Sequence, residues 1–118
     1  MRDFRKLEIW KNGIELVKIV YKFSEKLPSN ERFGLRSQIT RAVVSVPSNI
    51  AEGCSRNSEI EFKRYLEISI GSLFEVETQL IIAQELKFIP SKELKPVLDL
   101  IQQEARMINS LITKIKKR

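Results

Sequence analysis

Through most of the chain apolar residues recur at steps of three and four, the spacing that lays one face of an α-helix against a core. In the first such stretch, Leu7 to Leu27, the stripe runs through Leu7, Trp10, Ile14, Val17, Tyr21 and Ser24, widened by Leu16, Val20, Phe23 and Leu27. Pro28 ends it, and Pro28-Ser29-Asn30 offers cap residues for a second series, Leu35, Ile39, Ala42 or Val43, Val46 and Ile50. Gly53 and the polar loop Ser55-Arg56-Asn57 close that series. Ser58 and Glu61 stand in capping-box spacing and open a third helix, carried by Phe62, Leu66, Leu73, Val76, Leu80 and Ala83 to about Leu86. Lys87-Phe88-Ile89-Pro90 breaks the pattern. Ser91 then caps a fourth helix with core positions Leu94, Val97, Leu98, Ile101, Ala105, Ile108, Leu111, Ile112 and Ile115. There is no strand-like alternation and no internal repeat. Four amphipathic helices with short connections predict one all-α domain over residues 1–118, an antiparallel up-down-up-down four-helix bundle.

The least ordinary stretch is RAVVSVPSNIAEG, residues 41–53, with a proline inside a helical pattern. Pro47 lacks the N–H that would bond the Val43 carbonyl, and its ring crowds that carbonyl. Either Pro47 starts a new helix capped by Ser45 or Val46, or one helix passes through with a kink. Ile39, Val43, Val46 and Ile50 keep their phase across the proline, which favours the kink. Beside this apolar face Gln38, Arg41, Ser45, Asn49 and Glu52 form a polar strip. The ordinary account is a hydrogen-bonded packing network within the fold or at a subunit contact; a sharper one is a groove for a polar ligand. Catalysis by Glu52 comes last, because no histidine, second acid or lysine is arranged around it.

The third helix holds more apolar surface than a lone bundle needs. Phe62, Leu66, Ile70, Leu73, Phe74, Val76, Leu80 and Ile81 spread over about half its circumference at 100° per residue, and Tyr65, Ile68 and Ile82 lie beyond that arc. Left wet in a monomer, this surplus predicts self-association; the alternative is a central helix buried on all sides. Ser69, Gly71 and Ser72 would let Trp10, Tyr21 or another helix come close. Glu75 and Glu77, two apart, point to different sides and make no carboxylate pair.

Composition narrows the chemistry. The chain has no histidine, the usual general base and metal ligand near neutral pH, which weighs against an enzyme. Cys54 stands alone, so neither an internal disulfide nor a zinc cluster can form, and it is expected to be small and partly buried. No phosphate loop or dinucleotide fingerprint occurs, and no cofactor or metal is expected. No apolar run approaches a bilayer span and no signal segment follows Met1, so a cytoplasmic protein without membrane contact is expected.

Net charge is +6. An up-down-up-down bundle would gather the start of helix one, the second loop and the end of helix four at one pole. There Arg2, Arg5, Lys6, Arg56, Lys63, Arg64, Lys114, Lys116, Lys117 and Arg118 outnumber Asp3, Glu8, Glu59 and Glu61 by six, and the rest of the chain sums to zero. Such a pole suits nucleic-acid phosphates, by contacts to the backbone rather than to bases. The plainer account is that the terminal lysines complement a helix dipole and stay solvated.

FRKLEIW, then ERFGLRSQITRAVVSVPSNIAEG, then EFKRYLEISIGSLFEVETQL resemble the intervening-sequence proteins, a family of small four-helix bundles encoded by insertions within bacterial 23S ribosomal RNA genes. The resemblance spans nearly the whole chain and is strongest at Gln38, Arg41, Ala42, Ser45, Pro47, Asn49, Ile50, Ala51, Glu52 and Gly53, then Gly71, Ser72, Glu75 and Glu77; Ile68 departs from a more usual alanine. It implies a ring-shaped homopentamer without enzymatic activity. A related branch, similar to the accessory proteins of diversity-generating retroelements, implies binding to nucleic acid and to a nucleic-acid-processing protein such as a reverse transcriptase. The expectation is therefore a non-enzymatic, oligomeric bundle that binds RNA or DNA through its basic end. The competing expectation is a protein-interaction adaptor in which the polar strip and the apolar surface matter and the lysines only aid solubility.

Overall fold

The computed structural model describes residues 1–116 and forms helices where the three-four spacing is unbroken: α1 (Glu8–Ser24), α2 (Leu35–Cys54), α3 (Glu59–Glu85) and α4 (Ser91–Lys116). Short 3-10 turns, Phe4–Lys6 and Ser29–Glu31, precede α1 and α2, and the described residues contain no strand. The four helices pack side by side into a rod of 46 × 24 × 19 Å. Lys26, just past the end of α1, pairs with Glu93 at the start of α4, while Asn12 reaches Met107 farther along; those two helices pass one another in opposite directions.

Local chemistry sets the ends. Ser58 Oγ accepts from Glu61 N at 3.0 Å and opens α3 as the sequence predicts. α3 stops at Lys87, whose φ of 65° is left-handed; Phe88 N donates to the Ala83 carbonyl and Lys87 N to that of Gln84, a Schellman-type closure without glycine. Two expected caps are replaced. Ser29 and Asn30 lie in the 3-10 turn, and Glu31 Oε1 instead accepts from Leu35 N at 3.1 Å. Ser91 is the first helical residue of α4, and the Pro90 carbonyl accepts from Glu93 N and Leu94 N.

The core is built from Leu16 and Val20 of α1, Ile39, Val43, Val46 and Ile50 of α2, Phe62, Leu66, Leu73, Val76 and Leu80 of α3, and Leu94, Ile101 and Ile108 of α4, all buried. Each such side chain contributes about 1.5–3 kcal/mol of burial. The buried line of α1 is Ile9, Gly13, Leu16, Val20 and Ser24, shifted from the expected stripe; Trp10, Ile14 and Val17 are half-buried and Tyr21 is exposed. Gly13 decides the shift, because with no side chain it lets α2 come close at Pro47.

α2 runs through Pro47 as one helix, so the proline does not begin a new one. Around the missing donor, side chains take up backbone carbonyls. Ser45 Oγ donates to Ala42 O, Ser48 Oγ to Val44 O, Asn49 Nδ2 to Ser45 O, and Ser69 Oγ of α3 to Val46 O at 2.9 Å. Gly53 does not close α2 in a left-handed turn, since no glycine has positive φ. It is buried where α3 crosses, and a Cβ there would stand 2.8 Å from Tyr65 Cβ.

Candidate nucleic-acid interface

The N-terminal segment is fastened to the α2–α3 connection. Arg2 N donates to the Cys54 carbonyl at 3.1 Å, and the Arg2 guanidinium pairs with Glu59 while lying 4.0 Å from the Phe62 ring centre. Asp3 caps the first 3-10 turn by accepting from Arg5 N, and its carboxylate lies 3.6 Å from the Arg5 guanidinium. Arg56 bonds Glu52 at 3.2 Å and the Tyr65 hydroxyl at 2.7 Å. The structure thus brings Arg2, Arg5, Lys6 and Arg56 to one end, and gives Arg2, Arg5 and Arg56 acidic partners there. Lys6, Lys63, Arg64 and Lys114 form no ion pair among the described residues; Lys63 is half-buried and the other three are exposed. Lys114 lies about 10 Å along α4 beyond Met107, at 1.5 Å per residue. Lys117, Arg118 and the side chain of Lys116 lie outside the described residues.

The polar strip divides. Ser45 is half-buried and its Oγ meets Ser72 Oγ at 2.6 Å, joining α2 to α3; Asn49 is turned to its own helix; Pro47 is buried. Gln38, Arg41 and Glu52 are exposed, Glu52 beside Arg56. The small residues also part company. Ser69 and Ser72 are where α2 comes close, neither Trp10 nor Tyr21, whereas Gly71 faces outward, and a methyl added to it would meet nothing within 4 Å. Around Gly71 the outer face of α3 exposes Ile60, Ile68, Phe74, Ile81 and Ile82, continued by Leu86 just past its end, with Phe74 at 60%. At 100° per residue these six fall within an arc of about 140°.

Cys54 is fully buried rather than partly so, and burial pushes its thiol above the ordinary value, with the Arg2 charge opposing. It is no activated nucleophile. No cluster of three acidic or cysteine ligands able to hold a metal occurs among the described residues. No described helix is long and apolar enough to cross a membrane.

One residue of chemical interest was missed by sequence reasoning. Glu104 is 1% exposed and both its carboxylate oxygens lack a hydrogen-bond partner. Burial raises its pKa to about 8. The signal was present: Leu94, Val97, Ile101, Glu104, Ile108 and Ile112 are all buried and step by three and four, so Glu104 occupies the core position expected for Ala105, which is half-buried.

None of the curated proteins compared with the chain matches it. A crystal structure from Bacteroides thetaiotaomicron, a protein of unknown function from the S23 ribosomal protein family, superposes with a TM-score of 0.82 at 19% identity, covering 89% of this chain and 95% of that one. That likeness shows a shared fold. The family model of the 23S rRNA-intervening sequence proteins matches residues 5–110, nearly the whole chain, and the protein belongs to that family.

Proposed function

We propose that the protein is a non-enzymatic, self-associating bundle of the cytoplasm that binds the phosphate backbone of RNA through its basic end. The observation that carries this is the set of exposed cations Lys6, Arg64 and Lys114 without acidic partners among the described residues, on the side of the molecule where Arg2, Arg5 and Arg56 are anchored. Each phosphate neutralised there would release condensed counterions, so affinity should fall steeply with salt. No base-reading module is recognisable among the described residues, so contacts would go to the backbone, of DNA as well as RNA. Self-association is supported by the outward apolar arc of α3; the pentameric ring implied by the resemblance would repeat the basic end around one axis. A second reading, a protein-interaction adaptor, draws on that same arc.

Titration of a labelled RNA duplex and a single strand at several salt concentrations separates the two. A nucleic-acid binder gives a steep log affinity against log salt line, and Lys6→Glu or Arg64→Glu lowers its slope by about 1 each while Lys92→Glu at the start of α4 leaves it unchanged. Absence of binding at low salt removes the leading reading and leaves the adaptor.

A further inference from the structure

Between α1 and α4, away from the basic end, lies a half-open cavity of about 200 Å³ lined by Asn12, Glu15, Leu16, Ile19, Leu100, Gln103 and Glu104. Its composition is uneven in a telling way. Leu16, Ile19 and Leu100 give apolar wall, Glu15 is exposed at the rim, and Glu104 is buried with both carboxylate oxygens unpartnered. An unpartnered buried carboxyl is costly, because burial strips its water and nothing replaces it. Every polar group on the wall can accept a hydrogen bond: the two carboxylates, the Gln103 amide oxygen, and the oxygen of Asn12, whose N–H is directed to Met107 Sδ. Glu15 already pairs with Lys18 at 3.3 Å on the outer rim, whereas Glu104 has no such partner, and no basic side chain is among the residues lining the cavity itself.

We propose that this cavity is a binding site for an organic nitrogen cation, an ammonium or guanidinium group on an apolar stem, with Glu104 as its charge partner. The acceptors supply what such a head group donates to, and the leucine and isoleucine wall covers the stem. A metal ion fits less well, since the described residues hold no group of three acidic ligands. The volume is below that of ordinary small-molecule pockets, about 300–1,000 Å³, and matches a single side chain or a short amine. The cation could therefore come from a small amine in solution or from a lysine or arginine of a second copy of the chain. The inference does not rest on RNA binding.

The test is calorimetric titration of the intact protein at about pH 8.5, where the Glu104 carboxyl is ionised, with agmatine and n-butylamine and with n-butanol as the neutral control, alongside sedimentation of wild type, Glu104→Gln and Glu104→Met. Saturable binding of either amine at one per chain, absent for butanol and weakened tenfold or more in both folded variants, identifies a small-molecule cation. If the amines do not bind wild type because a neighbouring chain fills the site, both variants should instead sediment as smaller species than wild type. Binding that is equal in wild type and variants, or no binding together with unchanged assembly, overturns the proposal.

Discussion

The ring of Pro47 occupies the space that a side chain would take at Gly13, where a Cβ would stand 3.2 Å from Pro47 Cβ and 3.4 Å from its Cδ. A proline inside α2 and a glycine inside α1 are each unfavourable for their own helix, by about 3 and about 1 kcal/mol, and each is explained by the other. Gly13→Ala should gain helix propensity yet lose more to crowding, a net destabilisation of about 1 kcal/mol in urea unfolding, and Gly13→Leu several times that. A more stable Gly13→Ala protein would mean that the contact yields freely.

Gly71 should respond with the opposite sign. A methyl there meets nothing within 4 Å, so Gly71→Ala should stabilise the single chain by about 0.5–1 kcal/mol. If a neighbouring chain packs closely on the outer face of α3, the same substitution should weaken assembly in sedimentation velocity. Assembly unchanged by Gly71→Ala would place the subunit contact elsewhere.

Lys87 is a third backbone position with a definite expectation. Its φ of 65° is costly for any residue with a Cβ, and the Schellman-type bonds around it need only backbone. Lys87→Gly should raise stability by about 1 kcal/mol in the same unfolding assay, and Lys87→Val should lower it. Equal stability of all three would show that the connection relaxes.

Glu104 makes stability depend on pH. Its folded pKa is about 8 against an ordinary 4.5, so below pH 4.5 both folded and unfolded chains hold the proton and there is no penalty. As pH rises from 4.5 to 8 the unfolded chain ionises while the folded one stays protonated, and the native state loses stability until the full penalty is present above pH 8. Glu104→Gln should therefore gain little at pH 4 and about 1–4 kcal/mol at about pH 8.5, measured without added amine. A pH-independent difference would show that the carboxyl is solvated or paired.

Much of the fold was legible because helical period, proline breaks and the Ser58 cap are local signals. Ser58 to Glu61 needs only three residues of context, and the continuity of α2 through Pro47 followed from the phase of Ile39, Val43, Val46 and Ile50. The misplacements share one cause, that sequence assigns faces by side-chain type. Gly13 lies on the buried line of α1 although it has no side chain to mark it, and Tyr21, a large ring placed on the stripe, is exposed. Glu104 likewise holds the core position that side-chain type assigns to Ala105, although the three-four spacing points to Glu104.

The basic end was legible as a list of residues but not as a charge pattern. Which cations meet acids depends on partners distant in sequence, such as Arg2 with Glu59, and no local rule supplies them. By itself the sequence determined that this chain makes four helices of a certain length with an apolar excess on the third, because period and capping act over a few residues. Tertiary packing alone decided that Gly13 receives Pro47, that Gly71 looks outward, and that a carboxyl lies buried beside an open cavity, because those are properties of surfaces meeting and not of any one stretch of residues.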